Sequence, residues 1–163
     1  MNAATADMHE SFWQRRVVAP IVGQLKQGIT PEKIALTIAL GLVLGIFPIL
    51  GSTTILCGLA AVLLRLNQPI IQLVNYFAYP LQLALIIPTY RLGETLFRKP
   101  HIPLSIPLLF ERFRADFGKF LADFGMIALQ GIAVWCLLAP VAAAILYYAF
   151  RPALRALAQR IGP

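Results

Sequence analysis

The sequence predicts an all-α integral membrane protein: two Pro/Gly-broken helix pairs, an amphipathic surface helix and one C-terminal transmembrane helix. Three observations carry this expectation. Residues 34–90 contain a single formal charge, Arg65. Two prolines with aromatic neighbours, Phe47-Pro48 and Tyr79-Pro80, fall inside the apolar runs on either side of it. Residues 125–150 carry no charge at all. A soluble domain keeps a wet face on each helix, and these runs have none.

Composition agrees with the pattern. The chain of 163 residues suits one domain, and 59% of it is hydrophobic against 13% charged. The net charge of +7 reflects Lys and Arg gathered beside the apolar runs, where they meet anionic lipid headgroups. Nucleic acid is not an expected partner, because no basic stretch with interleaved aromatics occurs. Cys57 and Cys136 both lie in apolar runs and read as buried thiols. His9 and His101 are far from both, so neither a metal site nor a cofactor is expected. The first 30 residues lack the apolar core of a cleavable leader, and the mature chain is expected to begin near Met1.

In chain order, residues 9–28 mix Phe12, Trp13, Val17, Ile21 and Leu25 with Arg15, Arg16 and Lys26, the pattern of an interfacial helix bent at Pro20. Thr30-Pro31-Glu32 is a helix start: a cap, a proline at the first helical position and an acid in the first turn. The first apolar run, residues 34–64, would be about 46 Å long as one straight helix, against a hydrocarbon core of about 30 Å. Gly45, Pro48 and Gly51 stand in its middle, so two helices of roughly 34–46 and 53–64 meeting at a turn are expected. Ser52, Thr53 and Thr54 have no histidine or lysine near them in sequence. They are expected to cap the second half-helix rather than act as nucleophiles.

Arg65-Leu-Asn67-Gln-Pro69 is a turn that opens the second run, residues 70–90, with Pro80 at its midpoint as the expected second break. Either broken pair is open to re-entry from one membrane face. Gln72, Asn75, Tyr79, Gln82 and Thr89 fall within an arc of about 100° at ~100° per residue, a polar stripe that should face protein or water. Residues 107–124 alternate Phe110, Phe113, Phe117, Phe120 and Phe124 with a balanced set of charges, an amphipathic helix. A span over 125–150 and a basic tail over 151–163 close the chain.

The core of the chain resembles a known family. Pro31, Gly41 and Gly45, Pro48-x-x-Gly51, Arg65-x-Asn67-x-Pro69, Pro80 and Tyr90-x-x-Gly93 together resemble domain of unknown function 2062, a prokaryotic membrane family, over residues 31–97. Members commonly carry Asn before the second proline, where this chain has Tyr79. The resemblance implies a multi-pass protein of the cell inner membrane and supplies no activity.

No Ser-His-Asp order, paired carboxylate, phosphate loop or metal cluster occurs, so an enzyme is not expected. Two readings remain open. One is transport or handling of a lipid or other anionic amphiphile, with Asn75, Tyr79 and Gln82 in a cleft at the second break and Arg65 and Arg91 at its mouth. The other is a non-catalytic assembly or anchoring module whose amides stitch helices together. A homodimer suits either.

Overall fold

The computed structural model describes residues 19–26, 29–98 and 106–161, and among these it is all-helical. Six helices follow one another: α1 (Ala19–Lys26), α2 (Pro31–Gly45), α3 (Thr53–Leu63), α4 (Gln68–Leu96), α5 (Ile106–Ala115) and α6 (Phe117–Ile161). Of the expected interfacial helix, α1 is seen, while Trp13 and the rest of residues 9–18 lie outside the described residues.

The first break stands where Pro48 and its glycines put it. α2 starts as expected, with the Thr30 hydroxyl accepting from the Lys33 N–H and Pro31 in the first turn. It ends at Gly45, and its last turn tightens as the Phe47 N–H bonds the Leu44 carbonyl, three residues back. Pro48 has no N–H to extend the ladder, and Gly51 takes φ +83°, a backbone conformation that a Cβ would penalise. The chain turns back through 46–52 into α3. Ser52 does not cap α3 as expected. Its hydroxyl donates instead to the Ile49 carbonyl at 2.8 Å, inside the turn.

The second break does not exist. α4 starts on an Asn67 cap, whose oxygen accepts from the Ile70 N–H at 3.0 Å, and runs unbroken through Pro80 and Pro88 to Leu96. A proline removes one helical donor, but the chain reverses where a residue also takes positive φ, at Gly51 before α3 and at Arg65 before α4. No residue of α4 takes positive φ. Pro80 alone interrupts one hydrogen bond and not the helix.

The C-terminal half differs from expectation in the same direction. The amphipathic segment is interrupted at Asp116, whose carboxylate accepts from the Lys119 N–H at 2.9 Å and so caps α6. α6 then continues through the expected span and most of the expected tail as one helix of 45 residues. The tail stays helical because it is packed. Leu154 is buried against Ile34 and Ala35 at the start of α2, and Arg155 pairs with Glu32 at 2.6 Å. Phe113, Phe117, Phe120 and Phe124 contact one another edge-on or tilted. Phe110, Phe113 and Phe117 nonetheless remain exposed, so this aromatic face is not buried by the other described helices.

Contacts fix the directions of the helices. Arg155 meets Glu32 and Trp135 meets Val43, so α6 runs antiparallel to α2. Gly41 sits against Val74 and Gly45 against Ala78, so α4 runs parallel to α2. At Gly45 an added Cβ would lie 2.8 Å from the Ala78 Cβ, so only a residue without a side chain allows this approach. α3 closes the group through Cys57 and Ala61, which pack on Ile71, Leu40 and Leu44.

The ion pair at the foot of α2 gives a pH test. Its own backbone N–H, and then Arg155, hold the Glu32 carboxyl below its ordinary value of 4.5. A carboxyl depressed on folding adds stability above its unfolded value and loses it as pH falls through the lower folded value. Wild type should therefore melt higher than Glu32→Gln at neutral pH, and that advantage should shrink as pH falls below the unfolded value and vanish below the folded one. An advantage independent of pH in parallel melting curves would contradict the pairing.

Candidate functional site

The turn between α2 and α3 is the chemically unusual place in the fold. A helix that stops inside a packed structure strands carbonyls that must find other donors. Here the neighbouring helices supply them. The Val43 carbonyl, left free when the Phe47 N–H turns to Leu44, accepts from the Trp135 indole of α6 at 3.2 Å. The Phe47 carbonyl accepts from the Gln82 amide of α4 at 2.7 Å. The Pro48 carbonyl accepts from the Tyr90 hydroxyl at 2.5 Å. The Ile49 carbonyl accepts from Ser52 and, at 3.4 Å, from Gln82 as well.

Packing holds the same clamp in place. The Phe47 and Trp135 rings meet edge to face, with centroids 4.9 Å apart. Tyr90 reaches Pro48 across Gly131, where an added Cβ would lie 2.5 Å from the tyrosine ring. Asn75 and Gln72 tie α4 to the start of α3: the Gln72 amide donates to the Thr54 carbonyl at 3.0 Å, and the Asn75 amide approaches the Thr54 hydroxyl at 3.4 Å.

Beside the clamp lies an apolar groove of ≈ 240 Å³. Val43 and Ile46 form its floor, Leu85, Pro88 and Thr89 one wall, and Trp135 with its α6 neighbours the other. A larger hollow of ≈ 340 Å³ near the α5–α6 junction is lined by Arg112, Asp116, Lys119 and Asp123, a charged face remote from the clamp in sequence. Among the described residues no group of three or more His, Cys, Asp or Glu is placed to hold a metal.

The sequence matches, over residues 19–161, the family described as uncharacterized protein conserved in bacteria, DUF2062. The chain belongs to that family. No curated protein and no solved structure matches it.

Within this DUF2062 fold the expected site residues separate. Asn75 and Gln82 are buried, 3% and 1% exposed, and come together with the first break instead of a second one. Tyr79, although inside the arc of the polar stripe, turns outward, 51% exposed. Arg65 is exposed in the α3–α4 turn, with φ 52°. Arg91 stands near the far end of α4 and pairs with buried Glu94 at 2.9 Å. With 1.5 Å per residue, about 35 Å of α4 lies between the two arginines, so they cannot flank one mouth. Gly45, Pro48 and Gly51 serve the break as expected, and Pro80 does not.

Trp135 and Gly131 do not stand out in the sequence, and Tyr90 does so only as part of a motif. Trp135 is the lone indole in an uncharged span, and Tyr90-x-x-Gly93 pointed toward this corner without naming its partner. Nothing in a single sequence pairs residues 90 and 131 with residue 48.

Proposed function

We propose that this DUF2062 protein is a non-catalytic, multi-pass protein of the cell inner membrane. In this reading its groove holds the hydrocarbon part of an anionic amphiphile. α4 and α6 are long and apolar enough to cross a membrane, with mean hydropathy of 1.6 and 2.1 over their most apolar windows. α2 and α3 then form a hairpin that enters and returns on one side. An unbroken α4 brings the chain across, and α6 brings it back. That order sets Lys33, Arg65, Arg151, Arg155 and Arg160 on one side, opposed among the described residues of that end by Glu32 alone. This is the cytoplasmic side in the proposal; the opposite end carries as many basic residues, Arg91, Arg98, Arg112, Arg114 and Lys119, so the count of Lys and Arg does not choose between the two sides. α1 and the end of α6 then lie there.

The observation that carries the ligand is the groove itself, an apolar slot bordered by the clamped turn and open between the two long helices. Arg91 adjoins the groove-lining Leu92, and its guanidinium keeps N–H donors beyond the one given to Glu94, which suits an anionic headgroup. The second reading, an assembly or anchoring module, draws on a different observation: the amides meet backbone carbonyls and neighbouring side chains, so the polar stripe acts as helix glue.

Filling the groove distinguishes the two. Ala142→Phe, on the α6 wall, should strip co-purifying lipid from the protein in native mass spectrometry while leaving the melting temperature near wild type. Wild-type protein carrying no lipid, or a variant carrying as much, would defeat the amphiphile reading.

A further inference from the structure

The outer face of α4 carries polar groups that neither the clamp nor the groove uses. Pro80 is exposed there and, having no N–H, leaves the Tyr76 carbonyl without its helical donor. Tyr76 and Tyr79 flank that carbonyl, 64% and 51% exposed. Neither hydroxyl has a hydrogen bond among the described residues. Leu83, Ala84 and Ile87 continue the same face toward the end of the helix.

Depth makes these groups informative. Pro80 lies ten residues from each end of the apolar run 70–90. At 1.5 Å per residue that is about 15 Å from either end, the mid-plane of a hydrocarbon core about 30 Å thick. Acyl chains offer no donor to a carbonyl and no acceptor to a phenol, so both groups are costly there unless another protein surface meets them.

The patch is complementary to itself. It places a donor, the Tyr79 hydroxyl, about one helical turn from an acceptor, the Tyr76 carbonyl. A two-fold axis beside Pro80 sets each donor against the acceptor of the other copy, so one contact makes two equivalent bonds. Pro80 and Ala84, four residues apart and short, lower the ridge between the tyrosines and let two helices approach closely. We infer that a second copy of this chain docks on the α4 face formed by Tyr76, Tyr79, Pro80, Leu83, Ala84 and Ile87. The inference rests on α4 crossing the membrane and is independent of any ligand in the groove.

The test uses the full chain in native membranes, with Cys57→Ala and Cys136→Ser removing the natural thiols. Leu83→Cys should cross-link to a dimer under a short bifunctional maleimide, and Leu138→Cys, equally exposed on α6, should not. Tyr79→Phe removes both donors of the symmetric pair. Pro80→Ala restores an N–H that engages one lone pair of the Tyr76 carbonyl within α4 and so weakens both acceptors. Tyr79→Phe should weaken dimerisation in detergent about eightfold, at just under about threefold per interhelical bond, and Pro80→Ala by less. Pro80→Ala should do so without lowering the melting temperature, which a general packing defect would not allow. Dimerisation unchanged in both variants overturns the inference. So does a Leu83→Cys product that stays monomeric, or one that joins only to a cysteine placed within residues 1–18 of the same chain. Release of the protein by alkaline carbonate would overturn the membrane crossing itself, and with it this inference; retention without a Leu83→Cys dimer overturns the inference alone.

Discussion

Replacing Gln82 with leucine should lower stability by about 2–3 kcal/mol. The side chain is 1% exposed, and its amide is the donor to Phe47 at 2.7 Å, with Ile49 at 3.4 Å as a second acceptor. Leucine fills most of the volume but leaves the Phe47 carbonyl facing an apolar side chain, at about 1–3 kcal/mol for a buried unpaired group, while the Ile49 carbonyl keeps the Ser52 hydroxyl. Interhelical hydrogen bonds inside membranes average only ~0.6 kcal/mol, because an unfolded helix finds other partners. A carbonyl in the Pro48 turn has no helical donor to fall back on, so the larger figure applies. Asn75→Leu provides the contrast. Its amide reaches its partners only at 3.4 Å, so it should cost under about 1 kcal/mol. Equal losses for the two variants in reversible denaturant unfolding would mean that Gln82 does not hold the turn.

Gly131→Ala should cost about 1–3 kcal/mol, although alanine is the better helix former. The added Cβ would lie 2.5 and 2.7 Å from two carbons of the Tyr90 ring, closer than any packed interior allows. Relieving the clash swings the ring and pulls its hydroxyl from the Pro48 carbonyl. Overpacking costs roughly 1–3 kcal/mol and the lost hydrogen bond about 1, against about 1 regained in helix propensity. The net stays unfavourable. Truncating the ring should rescue part of the loss: Gly131→Ala with Tyr90→Leu should be less destabilised than the sum of the two single variants. Strict additivity would show that the alanine acts elsewhere.

Both predictions concern a site only half legible in the sequence. The α2–α3 break could be read because Pro48 removes a donor while Gly51 permits the positive φ of a reversal, two local requirements met within four residues. A proline alone does not turn a chain: the residues around Pro80 stay helical, while the turns into α3 and α4 pass through positive φ at Gly51 and Arg65. The inward pull on Asn75 and Gln82 was visible as a polar stripe. What they face was not, since residues 47–54 are far away in sequence and only the fold brings them together. Tyr79 falls between Gln72 and Asn75 in an arc too wide to say which of its members point inward. The joint at Asp116 and the helical tail were hidden for a related reason: a cap at residue 116 and an ion pair between residues 32 and 155 both depend on where the chain has already gone.

The arrangement of one clamped hairpin beside one uninterrupted α4 has its most direct test in sidedness. Single cysteines at Arg65, Arg98 and Arg160, in a background without native thiols, can be labelled with an impermeant maleimide in intact cells and in inverted vesicles. An unbroken α4 crossing the membrane predicts that Arg65→Cys and Arg160→Cys react only in inverted vesicles and Arg98→Cys only in intact cells. Labelling of Arg65→Cys and Arg98→Cys from the same side would mean that the chain turns back at Pro80 after all, and would contradict the fold, the clamp and the topology together.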